Sequence, residues 1–229
     1  MLSHDQIPQT LLNVFLSLFL LGIPYGIQAE ERQSHGYHFE NWVIDHFYNG
    51  KSNDYDHKWD ASNKNADIKK VPTEFLNLPV SIKVVKEHQS IGFGDALRQF
   101  KIDQDFLLIV AIWREENSLK YWCGLIVKKM NLFDWNQLWE PIQEVDLIRY
   151  DSMVKDRTIP VEEIRNKAKS EKSMYPFSES IMQMNPKIDS NGQRRVQCSL
   201  RWQVYENWIT QNTDTPNLWD VPIPNYLLQ

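Results

Sequence analysis

A chain of 229 residues, 42% hydrophobic and 12% aromatic, is long enough for one substantial core and too apolar for a wholly disordered protein. Its formal charge of -5 and pI near 5.7 exclude a protein that is basic overall, so any binding of a polyanion must come from a local basic cleft. Two cysteines without C-x-x-C spacing exclude a zinc framework and a disulfide scaffold, and both Cys123 and Cys198 lie in apolar runs that predict small core residues.

The first predicted helix runs from about Pro8 to Leu21, apolar nearly all round, and Gly22-Ile23-Pro24 stops it. Such a helix must be covered, by this domain or by a second subunit. The same stretch has the length of a signal-peptide centre, but MLSHDQIPQT before it has an aspartate and no Lys or Arg, and Leu11 to Ile23 is too short to span a bilayer. A buried helix and a cytoplasmic location, with no membrane partner, are therefore expected. QAEERQSHG follows as a polar connection.

Tyr37 to Tyr48 predicts a second helix, with Phe39, Trp42, Val43 and Phe47 at helical spacing and Asn49-Gly50 as its stop. Glu40 sits beside that apolar stripe. HKWDA and ADIKKV are short strand candidates separated by the turn-like SNKN, and PTEFLNLP is a loop bounded by prolines. PVSIKVVK is a strong strand, IGFGDALRQFKI a helix start, and DFLLIVAIWRE and YWCGLIVKKM are buried strands joined by a hairpin turn. NLFDWNQLW and VDLIRYDSMVKDRTI predict short helices, and PVEEIRNKAKSEKS a helix opened by proline. Asn191-Gly192 turns the chain into an alternating strand, VQCSLRWQVY, and the proline-rich tail drapes over the body. The order predicts an α/β protein, a mixed central β-sheet flanked by helices, in a single domain over 1–229.

An aspartate on one strand and a lysine on the next can set a divalent cation beside a phosphate. Asp67 and Lys83 are such a pair, with Asp60 as a competing aspartate, and Ile82 between Ser81 and Lys83 can lend its carbonyl. Asp95 and Arg98, three residues apart in GDALRQF, read as a structural ion pair. The Lys128-Lys129 pair and Lys167, Lys169 and Lys172 read as solvated charges, with phosphate contact as the alternative.

Asp67, thirteen intervening residues, then Ser81-Ile82-Lys83 resembles the motif of the PD-(D/E)xK nucleases, in the form found in type II restriction endonucleases. The run DI..VP..(F)LNLPVSIK..K and the following I.FGDALRQF are similar to a subset of those enzymes, and Glu40 in YHFENW is similar to the superfamily's first-helix glutamate. The resemblance covers about residues 36–108 and implies a restriction-endonuclease-like core over about 36–130. It assigns 131–229 to DNA recognition and dimerisation. It implies endonuclease activity on double-stranded DNA with Mg²⁺, held by Asp67, Glu40 and the Ile82 carbonyl, with Lys83 aiding the attacking water and Asp60 as the alternative to Asp67. A homodimer and a cognate DNA methyltransferase are the partners implied. Ser81 departs from the pattern, which has Glu or Asp there, and Glu40 is the carboxylate that can replace it. For DNA contact the best candidates are Arg194 and Arg195 on the loop after Asn191-Gly192, with Arg201 further along the strand.

Overall fold

The run FLLIVAIW offers water no polar face, VSIKVV is apolar but for Ser81 and Lys83, and the fold pairs the two runs side by side. A computed structural model describes residues 25–51, 59–61, 66–189, 192–211 and 223–228. Its elements begin with helix α1 (Tyr25–Phe47), strands β1 (Val80–Lys86) and β2 (Ile91–Asp95), and the short helix α2 (Ala96–Phe100). Strands β3 (Phe106–Glu116) and β4 (Leu119–Met130) form a hairpin, and helices α3 (Leu132–Gln137), α4 (Glu144–Lys155) and α5 (Val161–Glu171) follow. Strands β5 (Gln183–Ile188) and β6 (Arg194–Leu200) and helix α6 (Trp202–Gln211) complete the set, with 3-10 turns at Thr73–Phe75 and Asn225–Leu228.

The central sheet is small and mixed, in the order β1-β3-β4: β1 runs parallel to β3 with Ile82 opposite Ile109, and β4 returns antiparallel. The return is made by Asn117 and Ser118, both at positive φ (50° and 63°), the conformation a two-residue hairpin needs to match strand twist. Side chains of β3 alternate between two cores, as the period of two requires. Leu107, Ile109 and Ala111 meet Phe39, Val43 and Phe47 of α1, whereas Leu108, Val110 and Ile112 face the side occupied by Trp135, Trp139 and Tyr150. Both faces of β3 are thus covered, which explains its uninterrupted apolar sequence. The tryptophans serve mainly this interior: Trp113, Trp135 and Trp139 are buried.

A second sheet, β2-β6-β5, is antiparallel throughout and packs in the second core through Phe93, Cys198, Leu200 and Met184. IGFGDALRQF is therefore a strand before it is a helix. Ile91 and Phe93 alternate inward, Gly94 takes φ 84° at a bulge, and Asp95 caps α2 by accepting the Arg98 N–H at 2.9 Å. Asp95 is a helix cap where an ion pair with Arg98 was expected.

Several other local expectations change for physical reasons. QAEERQSHG is helical and continuous with the YHFENW segment, so α1 is a single helix. ADIKKV is a turn: Asp67 accepts the Lys69 N–H on its carboxylate and the Lys70 and Val71 N–H groups on its carbonyl, leaving no edge for strand pairing. VQCSLRWQVY is strand only to Leu200, after which helix α6 begins at Trp202. Cys198 is buried as expected, but Cys123 is exposed. The predicted helix Pro8–Leu21 and the SNKN turn lie outside the described residues. The tail does return to the body: Leu227 and Leu228 are buried, and the Trp122 indole N–H donates to the Pro224 carbonyl at 3.1 Å. Among the described residues, no helix is long and apolar enough to cross a membrane.

Candidate functional site

Among the described residues, only Ala61 pairs with strand β1 on its side away from β3. A single antiparallel bridge joins Ala61 to Val80, with the Asp60 N–H donating to the Val80 carbonyl at 2.9 Å. Beyond it no described strand pairs with the Ile82 N–H, and an unpaired backbone donor near the interior is costly. The Asp60 carboxylate takes that place, accepting the Ile82 N–H on Oδ2 at 2.6 Å.

The next residue supplies a cation. Lys83 Nζ donates to the same Asp60 Oδ2 at 2.9 Å and to the Ile82 carbonyl at 2.7 Å. With side chains only 19% and 25% exposed, Lys83 and Asp60 form a partly desolvated pair, unlike the surface ion pairs elsewhere in the molecule. The Ile82 side chain meanwhile packs in the α1 core, so its carbonyl faces the edge while its side chain anchors the strand.

Glu40 enters from α1. It follows Phe39 at the border of the helix's buried stripe, which strips water from its carboxyl group. Burial, and then the negative charge of Asp60, push its pKa from 4.5 to about 7, against the opposing pull of Lys83. Two carboxyl groups that repel each other, a backbone carbonyl and an ammonium thus gather at one strand edge.

Of the two aspartates considered from sequence, it is Asp60 that meets Lys83. Asp67 sits in the turn after α1, where its N–H donates to the Phe47 carbonyl and its carboxylate is engaged by the Lys69 N–H (3.0 Å) and the Lys70 ammonium (3.6 Å). Ser81 is 4% exposed, so the position that departs from the motif is closed to solvent.

Glu40, Asp60 and the Ile82 carbonyl are all oxygen donors, the set that a hard cation such as Mg²⁺ accepts together with its own waters. Among the described residues, no group of three or more His, Cys, Asp or Glu side chains is close enough to hold a metal, so such an ion would rest on two carboxylates and a carbonyl. On the other side of Lys83 lies the second sheet. Burial raises the pKa of the Cys198 thiol, Asp95 adds to the effect, and Lys83 and Arg98 oppose it, so charges from β1, β2 and α2 converge near β6.

The three arginines expected at DNA are placed differently from one another. Arg194 is tied down, its guanidinium donating to the carbonyls of Asp156 and Ile159 between α4 and α5. Arg195 and Arg201 are exposed. A cationic groove between α5 and β5, lined by Arg165, Lys169, Lys172 and Lys187, was not anticipated as a unit. The i, i+4, i+7 spacing of the first three was visible in the sequence, but β5 was not recognised as the strand opposite them.

No protein-family model matches the chain, and comparisons with curated proteins and with solved structures give no match.

Proposed function

We propose that the protein is an endodeoxyribonuclease of the PD-(D/E)xK type, a type II restriction endonuclease that hydrolyses double-stranded DNA with Mg²⁺. The observation that carries this reading is the convergence of Glu40, Asp60, the Ile82 carbonyl and Lys83 at the outer edge of β1. Glu40, Asp60 and the Ile82 carbonyl would hold Mg²⁺, which when bound supplies charge stabilisation at the phosphate and an acidified water. Asp60, rather than Asp67, takes the aspartate's part of the motif, because it is the aspartate within hydrogen-bond reach of Lys83.

The chain's own groups then have distinct tasks. Asp60 holds the Lys83 ammonium at the site, where it orients the attacking oxygen and offsets negative charge that builds on the phosphate. Glu40, whose pKa is raised by burial and by Asp60, must give up its proton to serve as a ligand, so Mg²⁺ would be held more tightly as pH rises towards and past 7. The buried Ile82 side chain keeps the strand edge in register. Cutting both strands of a symmetric site calls for a homodimer with its two-fold axis on that of the DNA, and for a methyltransferase that protects the host.

A second reading has one observation in its favour. Ser81, buried at the acidic position of the motif, is compatible with a DNA-binding protein that has the fold and no cutting activity. Incubating plasmid and phage DNA with the protein and Mg²⁺ separates the two. Discrete fragments, lost in Lys83→Ala, support the restriction enzyme. Preference for branched DNA points to a resolvase of the same superfamily, and binding without cutting in Mg²⁺ or Mn²⁺ supports the second reading.

A further inference from the structure

Helix α5 and the edge strand β5 enclose a groove of about 410 Å³ lined by Arg165, Lys169, Lys172 and Lys187, with Asn185 and backbone of β5 between them. Among the described residues, no carboxylate lines it. The first three cations stand at i, i+4 and i+7 and so share one face of α5, while Lys187 reaches in from the strand. Nearby acidic side chains are committed elsewhere: Glu163 pairs with Lys167 at 2.8 Å and Glu171 with Arg149 at 2.5 Å. Arg165 shares its charge with Glu162 and is fixed over the strand by donating Nε to the Ile188 carbonyl at 3.1 Å. Among the described residues, Lys169, Lys172 and Lys187 have no ion-pair partner.

A protein with a net charge of -5 repels a polyanion unless positive charge is concentrated locally, and here it is concentrated. The groove opens at the β5 edge of the second sheet, and β2 forms the other edge of that sheet. Asn185 and Asp95 are both paired to Gln197 of β6, so two strand spacings, roughly 10 Å, separate them.

We infer that the α5–β5 groove is a docking surface for the DNA phosphodiester backbone, read through Lys169, Lys172, Lys187 and Arg165 without regard to base sequence. It rests on the reading of the chain as a DNA-cutting enzyme and names the surface that holds the substrate there. Contacts of this kind release counterions, so the logarithm of the binding constant falls with the logarithm of salt concentration by about 0.9 per phosphate neutralised.

The test is fluorescence anisotropy with a random-sequence 30-base-pair duplex in EDTA, over a series of KCl concentrations. It compares wild type with K169A/K172A/K187A and with the charge-keeping K169R/K172R/K187R, and thermal melting confirms that both variants fold. The alanine variant is expected to lower the salt slope by about 2.7 and the arginine variant to keep it, because three phosphate contacts are lost in one and retained in the other. An unchanged slope in the alanine variant overturns the inference, even if the wild type cuts plasmid. Displacement of no DNA by the triple change, with inorganic phosphate binding lost instead, assigns the groove to a small anion and also overturns it. A wild type that binds no duplex at any salt overturns both the groove and the nuclease reading.

Discussion

Glu40→Gln separates the electrostatics of the site from its architecture. The carboxyl group of Glu40 rises from its ordinary 4.5 to about 7 because burial and Asp60 both disfavour its charge. An acid whose pKa is raised by folding leaves stability untouched below pH 4.5, where it is protonated in both states. As pH rises from 4.5 to 7 the unfolded chain releases its proton first, stability falls, and above 7 the loss is complete. At about 1.36 kcal/mol per pH unit the ceiling is near 3.4 kcal/mol, and partial access to solvent lowers the expected figure to about 2 kcal/mol. Glutamine has nearly the same shape and no charge to release. Urea unfolding in EDTA at pH 4.2 and pH 8 is therefore expected to show near-equal stabilities at the lower pH and a gain of about 2 kcal/mol for Glu40→Gln at the higher. If Glu40 holds Mg²⁺ as proposed, millimolar Mg²⁺ stabilises the wild type at pH 8 and does not stabilise this variant. A stability difference that does not change between the two pH values refutes the electrostatic account of Glu40.

Other consequences concern neighbouring residues. Asp67→Asn removes a carboxylate from a turn, so a stability loss of up to about 1 kcal/mol is expected in urea unfolding, with cleavage rates unaltered. Tyr150→Phe deletes the buried hydroxyl that donates to the Ala168 carbonyl at 2.8 Å; that carbonyl keeps the Lys172 N–H as a donor, so a cost of about 1 kcal/mol is expected, again without loss of activity. Leu108→Ala in the centre of β3 opens a cavity between the sheet and the helical layer and is expected to cost about 2–5 kcal/mol, read as a lowered denaturation midpoint.

The central strands could be read from the sequence because their signals are local. VSIKVV and FLLIVAIW are rich in β-branched and apolar residues, and Asn117-Ser118 falls where the hairpin turns. Pro160 before α5 and the Phe39-Val43-Phe47 stripe of α1 are local in the same sense. Of the second sheet, β6 was legible after Asn191-Gly192, but β2 and β5 were not. Strand β2 is short and carries two glycines, and it exists as a strand through pairing with β6, about a hundred residues later in the chain.

The site was half legible. Lys83 follows from the strand and Glu40 from its helix, but spacing alone does not tell which aspartate reaches the strand edge. Asp67 had the advantage of following a turn-like segment. Asp60 reaches Lys83 because one backbone bridge, Ala61 to Val80, brings it alongside and the Ile82 N–H needs an acceptor. That requirement arises on the side of β1 away from β3 and becomes visible only once the strands are in register.

The most direct test of a DNA-cutting centre built on Asp60 and Lys83 is a side-by-side plasmid cleavage assay with Mg²⁺, using wild type, Asp60→Asn, Lys83→Ala and Asp67→Asn. Discrete fragments from wild type and Asp67→Asn are expected, with rates at least ~10²-fold lower for Asp60→Asn and Lys83→Ala, and duplex binding retained in all four. Undiminished cutting by Asp60→Asn or Lys83→Ala, or loss of cutting in Asp67→Asn alone, would contradict the account.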